Sequence, residues 1–141
     1  MQTNPFPDET GTLSGLIAEQ ALAVRYENVP KKVWDYFKLC IADAVGIAFA
    51  SGSYDFAQTA LESLDLLESA GLGTIIGHDR RVSIRDAAMM NGLLIHGLDY
   101  DDTHLPSVIH CSASALPAAL AIAEHRRLDG KSFLLAALIA V

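Results

Sequence analysis

Apolar residues recur along this chain mostly at three- and four-residue intervals, the spacing of one helical face, with proline, glycine and serine as punctuation. Thr12 or Ser14 can cap a first helix that runs to about Tyr26 and gathers Leu13, Leu16, Ile17, Ala21 and Val24 on one side. Asn28-Val29-Pro30 stops it, and Pro30 suits the first turn of a second helix reaching Ala50. Val33, Trp34, Phe37, Ile41, Ala44, Val45 and Ala48 give that helix a wide apolar stripe, so it is predicted to be the central one. Asp43 then reads as a helix-surface carboxylate or as one bonded to a neighbouring backbone. After Ser51-Gly52-Ser53 a third helix is predicted over 54–70, with Ala57, Ala60, Leu61, Leu64 and Leu67 as its buried face.

Gly71-Leu72-Gly73 breaks the helical period. Thr74–Gly77 and Arg81–Ile84 are short β-prone runs, which read as a small hairpin near 74–84 or as an extended connector. Ser83 can cap a fourth helix carrying Ala87, Ala88, Gly92 and His96, where the small residues Ala88 and Gly92 invite close helix approach. A fifth helix is predicted over 114–127, with Leu116, Ala119, Leu120 and Ala123 inward and Pro117 in its first turn. Leu128-Asp129-Gly130 turns the chain into a sixth helix, which starts near Lys131 and is still apolar at Val141. The pattern therefore predicts an all-α protein of about six helices. Residues 1–11, with Pro5 and Pro7, form a flexible lead, and 12–141 belong to a helical domain expected to be cut in mid-helix.

Composition narrows the function classes. A hydrophobic content of 51% against 19% charged residues is enough for a core and excludes disorder. The formal net charge of −7 argues against nucleic acid and anionic membrane surfaces as partners. No apolar run approaches the roughly 20 residues of a membrane helix, and the polar, acidic start resembles no signal peptide. Cys40 reads as a small core residue. Cys111 beside His110 is a candidate nucleophile with no second base or orienting group next to it. A reduced, cytoplasmic compartment is expected.

The chemistry concentrates between His96 and His110, where three of five histidines and three of seventeen acids fall within fifteen positions. If 95–103 is helical, His96, Asp99 and Thr103 fall within about 60° of one another, Asp102 lies beside them, and Asp101 points away. That ridge would suit proton transfer or substrate orientation. His110 would then sit before the fifth helix, whose free N–H groups could receive a substrate carboxylate. Plainer readings remain beside these. Asp101 and Asp102 can be solvated or capping acids, and His96 a satisfied core histidine. The cluster could also bind a divalent metal through His96, Asp99, Asp102, His104 or His110, although no established metal spacing is present.

At these residues the sequence resembles the MmgE/PrpD family, which includes 2-methylcitrate dehydratase, cis-aconitate decarboxylase and iminodisuccinate epimerase. The resemblance rests on Asn91-Gly92, His96, the run Leu98 to His104, His110, Ser112 and Ala123-Glu124, with Asp43 to Gly46 and Gly130 as further matches. It extends from Leu13 onward. It implies the first part of an all-α N-terminal domain, followed in the family by an α+β domain, with the active site in the cleft between them. It also implies a cofactor-independent lyase, with no metal, acting on a small di- or tricarboxylate, usually as a homodimer. One such activity, 2-methylcitrate dehydration, belongs to propionate catabolism. Asp99, Thr103 and His110 are the catalytic positions so implied, with His104, His96 and Asp102 as substrate-binding neighbours.

Cys111 departs from the proline common in the family after the motif histidine. The family's later histidine, lysines and tyrosine would lie beyond Val141. Physical reasoning points the same way, because a polycarboxylate needs concentrated positive charge and this motif carries more acids than bases. Arg80, Arg81 and Arg85 are candidates for that charge without any assigned place. Two competing classes are a non-catalytic helical dimerisation module or decayed fragment, and a metal-dependent hydrolase.

Overall fold

A computed structural model describes residues 11–67 and 69–141, so nearly all of the lead expected over 1–11 lies outside the described residues. The described residues form six α-helices: α1 (Leu13–Ala23), α2 (Lys31–Ser51), α3 (Asp55–Leu66), α4 (Ile84–His96), α5 (Cys111–Arg126) and α6 (Gly130–Ala140). Two antiparallel ladders of two-residue strands join them, β1 (Gly73–Thr74) with β2 (Arg81–Val82) and β3 (Thr103–His104) with β4 (Ile109–His110). The all-α expectation holds, and the first ladder is the hairpin foreseen near 74–84. The second ladder was not foreseen.

Local chemistry fixes three of the six described helix starts. Thr12 Oγ1 accepts from Gly15 N, Ser83 Oγ from Asp86 N and Asp129 Oδ1 from Ser132 N, each satisfying a first-turn donor. Helix ends were less legible. The first helix stops at Ala23 rather than Tyr26, and Tyr26–Asn28 forms a separate 3₁₀ turn. Tertiary packing explains it: the Tyr26 ring stacks on Trp34 at 4.4 Å, and Trp34 Nε1 donates to the Tyr26 carbonyl. The apolar stripe of α1 is covered by nothing described, for Leu13, Leu16, Ile17 and Leu22 are all exposed.

The third helix ends at Leu66, not Ala70, and leaves Leu67 exposed. Ser69 instead donates to the buried Asp86 carboxylate, and its N–H bonds back to the Leu64 carbonyl. Asp86 also accepts from Arg85 Nε at 2.8 Å. The Arg85 guanidinium, then the Ser69 and Ser83 hydroxyls, hold its carboxyl down at about 2.

The centre of the molecule is α4, not α2. It buries Ala87, Met90, Leu94 and Ile95 and packs against α2, α3, α5 and β1. On α2, Trp34, Phe37, Ala44 and Ala48 are buried as expected, and Asp43 is exposed. Burial pushes the Cys40 thiol up, with the Asp102 charge adding to it, which suits a protonated residue at the core's edge.

The fifth helix starts at Cys111, three residues before the predicted start, so Pro117 lies inside it rather than in its first turn. Proline has no N–H to offer the carbonyl of Ala113. That carbonyl faces Gly92, where an added Cβ would come within 3.1 Å of it. Gly92 therefore lets α4 and α5 approach closely, as the small-residue spacing suggested.

Two residues on which the resemblance rests turn out to clamp the first hairpin. Asn91 donates to the Thr74 carbonyl and accepts from Ile76 N, both at 2.8 Å. Glu124 accepts from Thr74 N and Thr74 Oγ1. The connector is thereby pulled inward, with Ile75 and Val82 fully buried.

Candidate active site

The helical ridge predicted over 95–103 does not exist. The fourth helix ends at His96, and the backbone reverses through Gly97 and Leu98 to Asp99, whose N–H bonds to the His96 carbonyl. Gly97 is forced by space: an added Cβ would lie 2.3 Å from Phe56 Cζ. Asp99 takes a left-handed conformation, φ 56°, which aspartate tolerates better than most residues. The chain bends again at Asp101 before entering β3, so side-chain directions no longer advance around a helix.

That change of period inverts the expectation for Asp101. Its side chain is fully buried and lies at the centre of the cluster. Asp101 Oδ1 is 3.1 Å from His96 Nδ1 and 3.1 Å from His110 Nδ1. The two imidazoles meet edge to face, with ring centres 4.6 Å apart. His110 Nε2 points to the other side, 3.6 Å from Asp99 Oδ1. Asp99 is 80% exposed and His110 25%, so one carboxylate is buried behind the imidazole and one stands at its open side. His96, half exposed, is not a core histidine.

The remaining candidates have other partners. Asp102 Oδ1 accepts from Ser112 N in the first turn of α5. The helix N-terminus expected to receive a substrate carboxylate thus already holds one of the chain's own. Thr103 pairs with His110 in the ladder, but its hydroxyl donates to the Asp101 carbonyl at 3.1 Å. Exposed His104 has its Nδ1 2.6 Å from Ser107 Oγ. Cys111 Sγ lies 3.9 Å from the Ile109 carbonyl, with no histidine nitrogen bonded to it.

Two open grooves flank the hairpin. One, of about 640 Å³, is lined by Phe56, Leu93, His96, Gly97, His110 and Ser114. The other, of about 420 Å³, is lined by Tyr36, Asp102, Thr103, His104 and Cys111 among others. The structure therefore brings Asp99, His110 and His96 together around Asp101, and places Thr103, His104 and Asp102 along the second groove. One ligand atom each from His96, Asp99, Asp101 and His110 lie within 4.8 Å of one another, a donor set able to hold a divalent cation. Asp102 and His104, expected in such a set, are outside it.

Among the described residues no lysine or arginine lines either groove. Arg80 pairs with Asp65, Arg81 with Glu124 and Arg85 with Asp86, so these three candidates are engaged elsewhere. Asp101 was missed because a continuous helix was assumed. Gly97 directly after His96 is a helix-stop signal that should have ended it.

The sequence of this chain has matches among known proteins. The model of the MmgE/PrpD N-terminal domain matches residues 15–141, and the chain belongs to the MmgE/PrpD family. It is 25% identical over 136 residues to the cis-aconitate decarboxylase-like protein oryM of Aspergillus oryzae, covering 92% of this chain and 28% of that protein. It is 24% identical to a cis-aconitate decarboxylase of Aspergillus terreus, covering 88% of this chain and 26% of that enzyme. With human cis-aconitate decarboxylase the identity is 33% over 88 residues, 62% of this chain and 18% of the enzyme. The chain thus spans less than a third of the length of these curated relatives. Among the described residues no helix is long and apolar enough to cross a membrane.

Proposed function

We propose that this chain supplies the proton-handling half of a cofactor-independent lyase acting on a small di- or tricarboxylate. The observation that carries this reading is His110, held between buried Asp101 and exposed Asp99 with Nε2 at the open side. An imidazole so placed can give or take a proton next to a substrate carboxylate, and Asp99 can share that proton or orient the substrate. Thr103, paired to His110 in the ladder, would hydrogen-bond the substrate, with His96 and His104 at its margins.

Decarboxylation of a cis-aconitate-like acid is favoured over dehydration or epimerisation by the names of the relatives. Lost carbon dioxide would leave an electron pair on carbon, and a proton delivered there completes the reaction. The cations that such a substrate needs would come from another segment or subunit, consistent with a homodimeric, cytoplasmic enzyme.

The test is turnover of a panel of di- and tricarboxylates by the complete protein, wild type against Asp99→Asn and His110→Ala. Each substitution should lower turnover by about 10²- to 10⁴-fold. Undiminished rates in both would reject the reading. The four-donor cluster also supports a second reading, metal-dependent hydrolysis. Stoichiometric zinc or manganese in the purified protein, required for hydrolysis of an ester or amide, would favour it.

A further inference from the structure

We infer that Asp101 is the positioning residue of this site: it fixes the proton of neutral His110 on Nδ1 and leaves Nε2 as the atom that exchanges a proton with the substrate. The role in turnover rests on the lyase reading above; the position of the proton does not.

Three observations converge. The Asp101 side chain has no solvent exposure, so its carboxylate must be satisfied by the protein or remain a costly buried charge. It sits 3.1 Å from Nδ1 of His96, in hydrogen-bond geometry, and 3.1 Å from Nδ1 of His110. Asp101 Oδ2 and His110 Nδ1 are both buried and, among the described residues, lack a well-aligned hydrogen-bond partner.

The choice of nitrogen follows from what each group can do. An ionised carboxylate only accepts hydrogen bonds, and a deprotonated imidazole nitrogen only accepts. Facing them at 3.1 Å across a fully buried carboxylate would set lone pair against lone pair. The contact is favourable only with hydrogen on Nδ1, which makes Nε2 the bare nitrogen of the neutral ring. His96 is fixed by the same oxygen in the same sense, and its edge-to-face contact holds the His110 ring plane.

When Nε2 takes a proton from a substrate, the bonding pair stays on the substrate and the imidazolium charge forms beside Asp101. Returning the proton restores the neutral ring, and no further reactant is required. Asp101 acts through the imidazoles it holds, above all His110, whereas Asp99 stands on the substrate side.

The test is ¹⁵N NMR of histidine-labelled full chain at a pH where His110 is neutral. Wild type should show His110 protonated at Nδ1 and bare at Nε2. Asp101→Ala should reverse the majority species to hydrogen on Nε2, and Asp101→Asn, which keeps an acceptor oxygen, should give a smaller change. Should Asp101→Ala fail to fold, the wild-type spectrum and that of His96→Ala decide, and both must show hydrogen on Nδ1 of His110. Hydrogen on Nε2 in wild type, a tautomer indifferent to Asp101, or a metal bound at Nδ1 in the purified protein would each overturn the inference. Lack of turnover on every carboxylate would instead reject the lyase reading and leave the tautomer result standing.

Discussion

The two hairpins have the same plan, a two-residue antiparallel ladder set beside a helix end, yet they are built for opposite ends. The first is drawn into the core: Ile75 and Val82 are buried, and Asn91 and Glu124 reach from α4 and α5 to bind its backbone. The second stands at the surface, with Leu105, Val108 and Ile109 exposed at its tip. It carries left-handed backbone at both Asp99 and Val108, and its base holds a buried carboxylate whose second oxygen lacks a partner. The first is not perfect, since among the described residues His78 Nε2 also lacks a partner. The contrast separates a segment held by core packing from one that leaves titratable side chains at the surface.

Substitutions that exchange these properties should separate the two regions. The largest effect is expected from His110→Gln in the complete protein, a loss of turnover of about 10²- to 10⁴-fold with substrate-panel kinetics as the readout. Asp99→Asn should lose activity similarly yet leave the unfolding free energy from urea curves within about 0.5 kcal/mol of wild type, because its side chain is 80% exposed. Asn91→Ala is the mirror image. It strands the Thr74 carbonyl and Ile76 N–H and should cost about 2–4 kcal/mol in urea unfolding.

Asp86 gives the first hairpin region a pH signature. Its carboxyl is depressed from 3.8 to about 2, chiefly by Arg85, so its stabilisation is complete above about pH 4. The contribution, on the order of 2 kcal/mol or less given the exposed Arg85, is lost as pH falls through about 2. Asp86→Asn should flatten stability between those values, and an unchanged acid-unfolding curve would rule this out. The smallest effect is expected at the second hairpin's tip. Val108 is β-branched at φ 54°, and Val108→Gly should raise stability by about 1 kcal/mol, read from the same urea curves.

Legibility in the sequence followed the same division. The helices, their caps at Thr12 and Ser83, the Gly92 approach and the first hairpin could be read from local spacing. Helix ends could not, because Tyr26 and Ser69 were captured by Trp34 and Asp86, partners distant in sequence. Asp99, His110 and His96 were legible as a cluster by composition and by the family motif. Asp101 was not, since its place depends on the turn at Gly97 and on a strand register that no periodicity announces. Asn91 and Glu124 stood in the motif with their scaffolding role invisible until Thr74 was located against them.

The uncovered first helix has a kinetic consequence. It has eleven residues, none of them buried, and helices below about 12–15 residues are marginal without packing. Its amides should therefore exchange with solvent through local fraying long before those of α4. Arg25, exposed on extended backbone just past the helix, offers trypsin an early cut. Slowed cleavage there would report whatever comes to lie against Leu13, Leu16 and Ile17.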